Sequence, residues 1–172
     1  MTNRIYNVLF LCTGNSARSI LAEALLEKYG AGRFRSFSAG SFPKSAVHPM
    51  ALSVLDGLGF DTSGFRSKSW DEFSAPDAPV IDFIFTVCDN AAGEICPIWP
   101  GHPMTAHWGI EDPAAVDGEG QRDAFMTAFG FLQRRIDLFL ALPLDSIEAM
   151  TLQSRLNEIG RQEGATHLTE LT

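Results

Sequence analysis

This chain of 172 residues predicts an α/β fold, a parallel sheet with helices on both faces. Three observations predict it. Short apolar runs alternate with segments whose apolar residues recur at helical spacing. One run, Val80–Val87, is nearly continuous, as a central strand buried on both faces requires. Glycines and prolines fall between these segments, where connections must turn.

The first strand is expected over Ile5–Leu11 and the first helix over Ser16–Tyr29. In that helix Ile20, Leu21, Ala24, Leu25 and Leu26 recur at helical spacing, and Gly30 and Gly32 stop it. Arg35–Ser38 fits a second strand. Pro49–Leu58 fits a helix opened by His48 and ended by Gly59. Ser67–Phe73 reads as a short helical piece, followed by a proline-containing loop over Ser74–Pro79. Val80–Val87 is then the third strand and Met104–His107 a shorter fourth. Gln121–Leu140 reads as a long amphipathic helix. Its core face carries Phe125, Phe129, Leu132, Ile136 and Leu140, while Arg134 and Arg135 are expected in solvent. After Pro143 the pattern is again helical over Leu144–Ile159, and the residues from Gly160 onward carry no anchoring signal. The expected organisation is one domain, with residues 1–142 as its body and 143–172 as a helical extension.

Composition narrows the function. A net charge of −8 argues against nucleic acid as a partner. No apolar stretch approaches the ~20 residues that span a membrane, and the N-terminus has no signal-peptide pattern, so a cytoplasmic protein is expected. Three cysteines in a reducing compartment point to chemistry rather than static disulfides. Cys88, Cys96, His102 and His107 match no common zinc-module spacing, so no metal is expected.

The chemistry concentrates in Cys12-Thr13-Gly14-Asn15-Ser16-Ala17-Arg18-Ser19, between the first strand and first helix. A loop curling into a helix N-terminus points several N–H groups at one spot, and the helix dipole adds positive potential there. That field predicts a Cys12 thiolate at neutral pH, below the free value of roughly 8.5. Gly14 permits the tight turn, and the Arg18 fork matches two oxygens of a tetrahedral anion. Asn15 and Ser16 can tie the loop together, and the Ser19 hydroxyl can donate to the thiolate.

This loop resembles the signature of the low-molecular-weight protein tyrosine phosphatase superfamily. Cys88–Pro97 and His107–Ala114 resemble its arsenate reductase branch, and Ser38-Ala39-Gly40 matches the segment after its second strand. The resemblance runs from about Val8 to Leu140. It implies a three-layer fold with a four-stranded sheet in the order 2-1-3-4 and a site at the carboxyl ends of the strands. The implied general acid is Asp112, in the pair Asp112-Pro113. The chain departs from the pattern in places. Ala17 stands where relatives often have cysteine, and the Cys88-to-Cys96 interval is one residue longer than in some. Some relatives bind potassium beside the loop. Here Asn15, Glu23 and Ser38 match, but Lys68 takes the place of an aspartate, so a fixed ammonium would replace the ion.

Two reactions share such a pocket. A phosphatase needs Cys12, Arg18, Asp112 and water. An arsenate reductase needs two electrons more, and a thiol pair supplies them by becoming a disulfide. The resemblance implies a relay in which Cys88 attacks the Cys12–arsenic adduct and Cys96 then attacks Cys88. Phosphate and sulfate act as substrate analogues. No bound cofactor is implied, but an external reductant is, either thioredoxin or glutathione with glutaredoxin. After Asp112-Pro113 the chain has Ala114-Ala115-Val116 rather than aromatics, which favours a small inorganic substrate over phosphotyrosine, unless Trp99 or Trp108 supplies the wall. A non-catalytic oxyanion-binding or redox-sensing module is the alternative from another class. A monomer or weak homodimer is expected.

Overall fold

The structure, a computed structural model, describes residues 4–93, 99 and 101–166. Strands β1 (Tyr6–Leu11), β2 (Phe34–Ala39), β3 (Phe83–Thr86) and β4 (Met104–His107) form one parallel sheet in the order β2-β1-β3-β4. The helices are α1 (Arg18–Tyr29), α2 (Pro49–Gly57), α3 (Asp89–Gly93), α4 (Gln121–Leu140) and α5 (Ala149–Gly160).

Strand β1 is central: Val8 pairs with Ser36 on one side and Phe83 on the other. Because side chains alternate along a strand, Val8 and Phe10 enter one core and Leu9 and Leu11 the other. The larger core is built with α1, α2, α4 and α5. There Trp108 stacks on Phe85 with ring centroids 3.7 Å apart, and its indole N–H donates to Leu156 O at 3.0 Å, fastening α5 to the sheet. The opposite face carries the 3-10 turn Trp70–Phe73 and Trp99, with Trp70 and Trp99 edge to face at 6.1 Å.

Strand β4 and helix α4 span the expected residues. Elsewhere the boundaries differ for physical reasons. Strand β3 is shorter than the apolar run Val80–Val87, because its ladder with β1 begins only at Phe83 and Val80 is exposed. Helix α1 starts at Arg18, since Ser16 and Ala17 belong to the preceding loop. Helix α5 starts at Ala149 rather than Leu144, because Ser146 N and Ile147 N both turn back to Pro143 O at 3.0 Å.

Two expectations, one about the long helix and one about the extension, are corrected. Arg134 is exposed, but Arg135 is fully buried and binds main-chain carbonyls. Residues 161–166 are anchored, with Ala165 bridged to Ile110 and Thr166 N bonded to Gly109 O at 3.1 Å. Leu152, Leu156 and Ile159 join the larger core, each burial contributing about 2 kcal/mol.

Candidate active site

The carboxyl ends of β1 and β3 bring two sulfurs together. Leu11 pairs with Thr86, and Val87 N donates to Leu11 O at 2.9 Å. Cys12 and Cys88 therefore leave neighbouring strands almost level. Both are free thiols and both are buried. They are hydrogen-bonded to each other. The Cys88 sulfur also accepts from Thr13 N at 3.3 Å and Ala91 N at 3.4 Å.

The two thiols are a coupled pair, and the shift at Cys12 runs opposite to the expected one: the hydrogen bond it gives Cys88 and its burial push its pKa well above the usual thiol value, against the pull of Arg18. Cys88 shifts the other way. The bond from Cys12 draws its pKa down to about 5, with the Thr13 and Ala91 amides helping against burial. The loop N-terminus is positive as expected, but two sulfurs compete for its field, and the hydrogen bond between them favours charge on Cys88.

The loop between Cys12 and Arg18 is held from outside. Thr13 O accepts from Phe42 N at 3.0 Å, Gly14 O from Lys44 N at 3.0 Å, and Ser16 O from His48 N at 2.9 Å. Ser67 Oγ adds a second donor to Gly14 O at 3.1 Å. In a planar trans peptide the next N–H points away from its carbonyl, so tying Thr13 O and Ser16 O outward turns the Gly14 and Ala17 amides inward. Gly40 lies against the loop so closely that a Cβ there would meet Thr13 O at 2.3 Å and Cys12 O at 2.5 Å. That contact explains Gly40 in Ser38-Ala39-Gly40.

Asn15 sits in the left-handed region, φ 43°, which Asn tolerates better than most residues. Its buried side chain fixes it there. Nδ2 donates to Ser19 Oγ and Ser38 Oγ, both at 2.9 Å, and Oδ1 accepts from Lys68 N at 2.9 Å. Ser19 is thus tied to Asn15. Ser38 Oγ passes the network on to Glu23 Oε1, and the Lys68 ammonium lies 3.8 Å from the same oxygen. Burial raises the Glu23 pKa and lowers that of Lys68, and each partner's charge opposes the other's shift. Lys68 thus meets this network twice, its main-chain N–H at Asn15 and its ammonium, which also donates to Arg66 O at 2.9 Å, beside Glu23.

Arg18 and Asp112 complete the pocket. Arg18 Nη1 donates to Ile110 O at 2.8 Å, its Nη2 lies 3.8 Å from Asp112 Oδ2, and its buried Nε has no hydrogen-bond partner among the described residues. Asp112 caps the turn Pro113–Ala115 through Ala114 N at 3.0 Å, which aims its second oxygen toward Arg18. Cys12, Thr13, Gly14, Ser16, Ala17, Arg18, Cys88 and Asp112 line one pocket, so those expected site residues are brought together. Asn15 and Ser19 lie behind it, supporting the loop. Cys96 lies outside the described residues.

The pocket also holds residues the sequence reading missed. Phe42 and Lys44 form its rim, and Phe42 is 76% exposed. The aromatics considered as a wall do not serve as one, since Trp108 and Trp99 are buried. His107 bonds two side chains, with Thr86 Oγ1 at 2.7 Å and Asp89 Oδ1 at 2.8 Å. His48 caps α2 as expected, its Nδ1 accepting from Met50 N at 3.0 Å.

Comparison with known proteins agrees with this geometry. An arsenate reductase of Bacillus subtilis (strain 168) is 36% identical over 126 residues, 73% of this chain and 86% of that one. A glutaredoxin arsenate reductase of a Synechocystis species is 31% identical, across 78% of this chain and 95% of that one. Among solved structures, an arsenate reductase in the phosphate-binding state superposes with a TM-score of 0.66 and 29% identity, covering 79% of this chain and 97% of that one. A thioredoxin-dependent arsenate reductase of Corynebacterium glutamicum superposes with a TM-score of 0.59 and 25% identity, covering 85% of this chain and 66% of that one. The family model described as low molecular weight phosphotyrosine protein phosphatase matches residues 7–152, and the chain belongs to that family, alongside its arsenate reductases.

Proposed function

We propose that this protein reduces arsenate to arsenite, with Cys12 as nucleophile, Cys88 as the first resolving thiol and Cys96 as the second. One observation carries the reading: a second sulfur, Cys88, shares the pocket with the nucleophile and accepts the Thr13 and Ala91 amides. Hydrolysis has no use for it. Neighbouring strands lie about 4.8 Å apart, inside the ~7 Å between Cα atoms that a disulfide tolerates.

Arsenate sits among the loop amides and the Arg18 fork. Cys12 bonds to arsenic while its proton passes to an arsenate oxygen, which leaves Cys88 ionised, and Asp112 protonates the departing oxygen, which leaves as water. Arsenic is still in the +5 state. The Cys88 thiolate then bonds to the Cys12 sulfur. The sulfur–arsenic bond breaks with its electron pair kept by arsenic, which leaves as arsenite in the +3 state and takes protons from water. The two thiols have become a Cys12–Cys88 disulfide. Attack by Cys96 on Cys88 would free Cys12 as thiolate, and an external dithiol of the thioredoxin or glutaredoxin class would reduce the disulfide that remains. The relatives' names point to both classes. Such a cycle belongs to a reducing compartment, in keeping with a cytoplasmic protein of the arsenic-resistance class.

The test is arsenite formation with a thioredoxin system and, in parallel, with glutathione and glutaredoxin. Cys88→Ser abolishes arsenite formation and spares hydrolysis of p-nitrophenyl phosphate. Cys96→Ser permits one turnover and blocks the next. Arsenite formation that survives Cys88→Ser sinks the reading.

A further inference from the structure

The family match ends at residue 152, yet the segment beyond it returns to the catalytic face. Arg135 captures that segment. Its Nη1 donates to Glu163 O at 3.0 Å, and its Nη2 to Gln162 O at 3.0 Å and Gly160 O at 3.4 Å. A fourth carbonyl, Phe131 O of its own helix, lies 3.0 Å from Nη1. Burial pulls the Arg135 pKa down to about 10, which still leaves it charged at neutral pH. A buried cation left without its carbonyl partners is strongly destabilising, so Arg135 pins the turn that supplies them. From there the chain bridges to Ile110 through Ala165 and delivers Thr166 Oγ1 to Asp89 Oδ1 at 2.6 Å.

That oxygen is also bound by His107 Nε2 at 2.8 Å. Gly109 makes the junction possible: a Cβ there would lie 2.6 Å from His107 Nε2, 2.6 Å from Thr166 Oγ1 and 2.7 Å from Asp89 Oδ1. Asp89 follows Cys88 directly and opens α3, whose Ala91 N–H rests on the Cys88 sulfur. We propose that Thr166 and His107 are positioning residues for Cys88, acting through Asp89, and that the C-terminal strap thereby sets how readily Cys88 leaves the pocket. This rests on the reading of Cys88 as resolving thiol. In the exchange concerned, an incoming thiolate bonds to the Cys88 sulfur, the Cys12–Cys88 bond breaks, and its electron pair leaves with Cys12 as thiolate. The buried sulfur must become reachable first.

The test keeps the full chain and makes Cys88 the sole thiol, in a Cys12→Ala, Cys96→Ser background. Alkylation of Cys88 by iodoacetamide at fixed pH is followed by mass spectrometry. Thr166→Val, which keeps the shape and loses the hydroxyl, labels about tenfold faster, equivalent to about 1.4 kcal/mol. Thr166→Ser labels at the parent rate. Hydrogen exchange separates local release from general loosening: the Ala91 and Ala92 amides accelerate and those of Val8–Leu11 do not. Equal labelling in parent and Thr166→Val, acceleration shared by Thr166→Ser, or acceleration reaching β1 would each overturn the proposal. Neither readout passes through arsenate, so the result stands apart from the outcome of the reduction assay.

Discussion

The proton between the two sulfurs can be located by titration, and its place decides how the pocket works. Thiolate absorbance at 240 nm, followed against pH in a Cys96→Ser background, is expected to rise with a midpoint near 5, the value of Cys88. Replacing Cys12 by Ala removes the strongest donor to that sulfur and leaves the Thr13 and Ala91 amides, so the midpoint climbs toward the ordinary thiol value of 9.0. Replacing Cys88 by Ala removes the low midpoint altogether. The gap between 9.0 and about 5 represents about 5 kcal/mol between the two protonation states. It is also a stability statement. The folded value lies below the unfolded one, so the thiolate stabilises the fold fully above pH 9, in part between 9 and 5, and no longer once pH falls through about 5. At pH 7 the contribution is about 3 kcal/mol. Cys12, whose value is raised, is a thiol both folded and unfolded at that pH and offsets none of it. A low midpoint that survives Cys88→Ala would refute this reasoning and place the charge on Cys12.

Three other outcomes are expected. Arg18→Lys replaces a fork with a point charge and weakens inorganic phosphate binding by about 100-fold in calorimetry. Asp112→Asn slows p-nitrophenyl phosphate hydrolysis by about 100- to 1,000-fold while leaving phosphate affinity within about threefold, since the acid acts on the leaving group rather than the bound anion. Lys68→Met strands Glu23 without its cation and costs about 3 kcal/mol in denaturant unfolding, whereas exchanging sodium for potassium leaves the parent's turnover unchanged.

What the sequence disclosed was whatever is local. Helix α4 matched because the apolar residues of its core face recur at helical spacing from Phe125 to Phe139. The oxyanion loop was legible because Cys12, Gly14 and Arg18 do their work within eight residues of one another. The order of the strands, and with it the meeting of Cys12, Cys88 and Asp112, came through family resemblance rather than from spacing. The proton's position was illegible. It depends on a contact between sulfurs 76 residues apart in sequence and on two amides that reach only one of them. Arg135 was misread for a related reason. A buried arginine usually advertises itself through an acidic partner, and this one is held by carbonyls, which every residue has. Phe42 carried one usable signal, its place two residues after Gly40, at the end of a strand whose neighbour ends in the nucleophile.

The pocket itself does little to tell arsenate from phosphate, because loop amides and a guanidinium read tetrahedral shape and charge, which the two share. Selectivity has to arise after the first covalent step, from what each adduct can do next. The Cys88 thiolate faces the Cys12 sulfur in either adduct. Expelling arsenite from the arsenic adduct uses the ready passage of arsenic from +5 to +3. The same attack on the phosphorus adduct would have to expel phosphorus in the +3 state, a far poorer acceptor of the electron pair, so water remains the only productive attacker there. Phosphate esters would therefore be hydrolysed slowly at Cys12 without touching Cys88, while arsenate drives the relay. The second sulfur leaves the first reaction available and adds a faster exit that only a reducible centre can use.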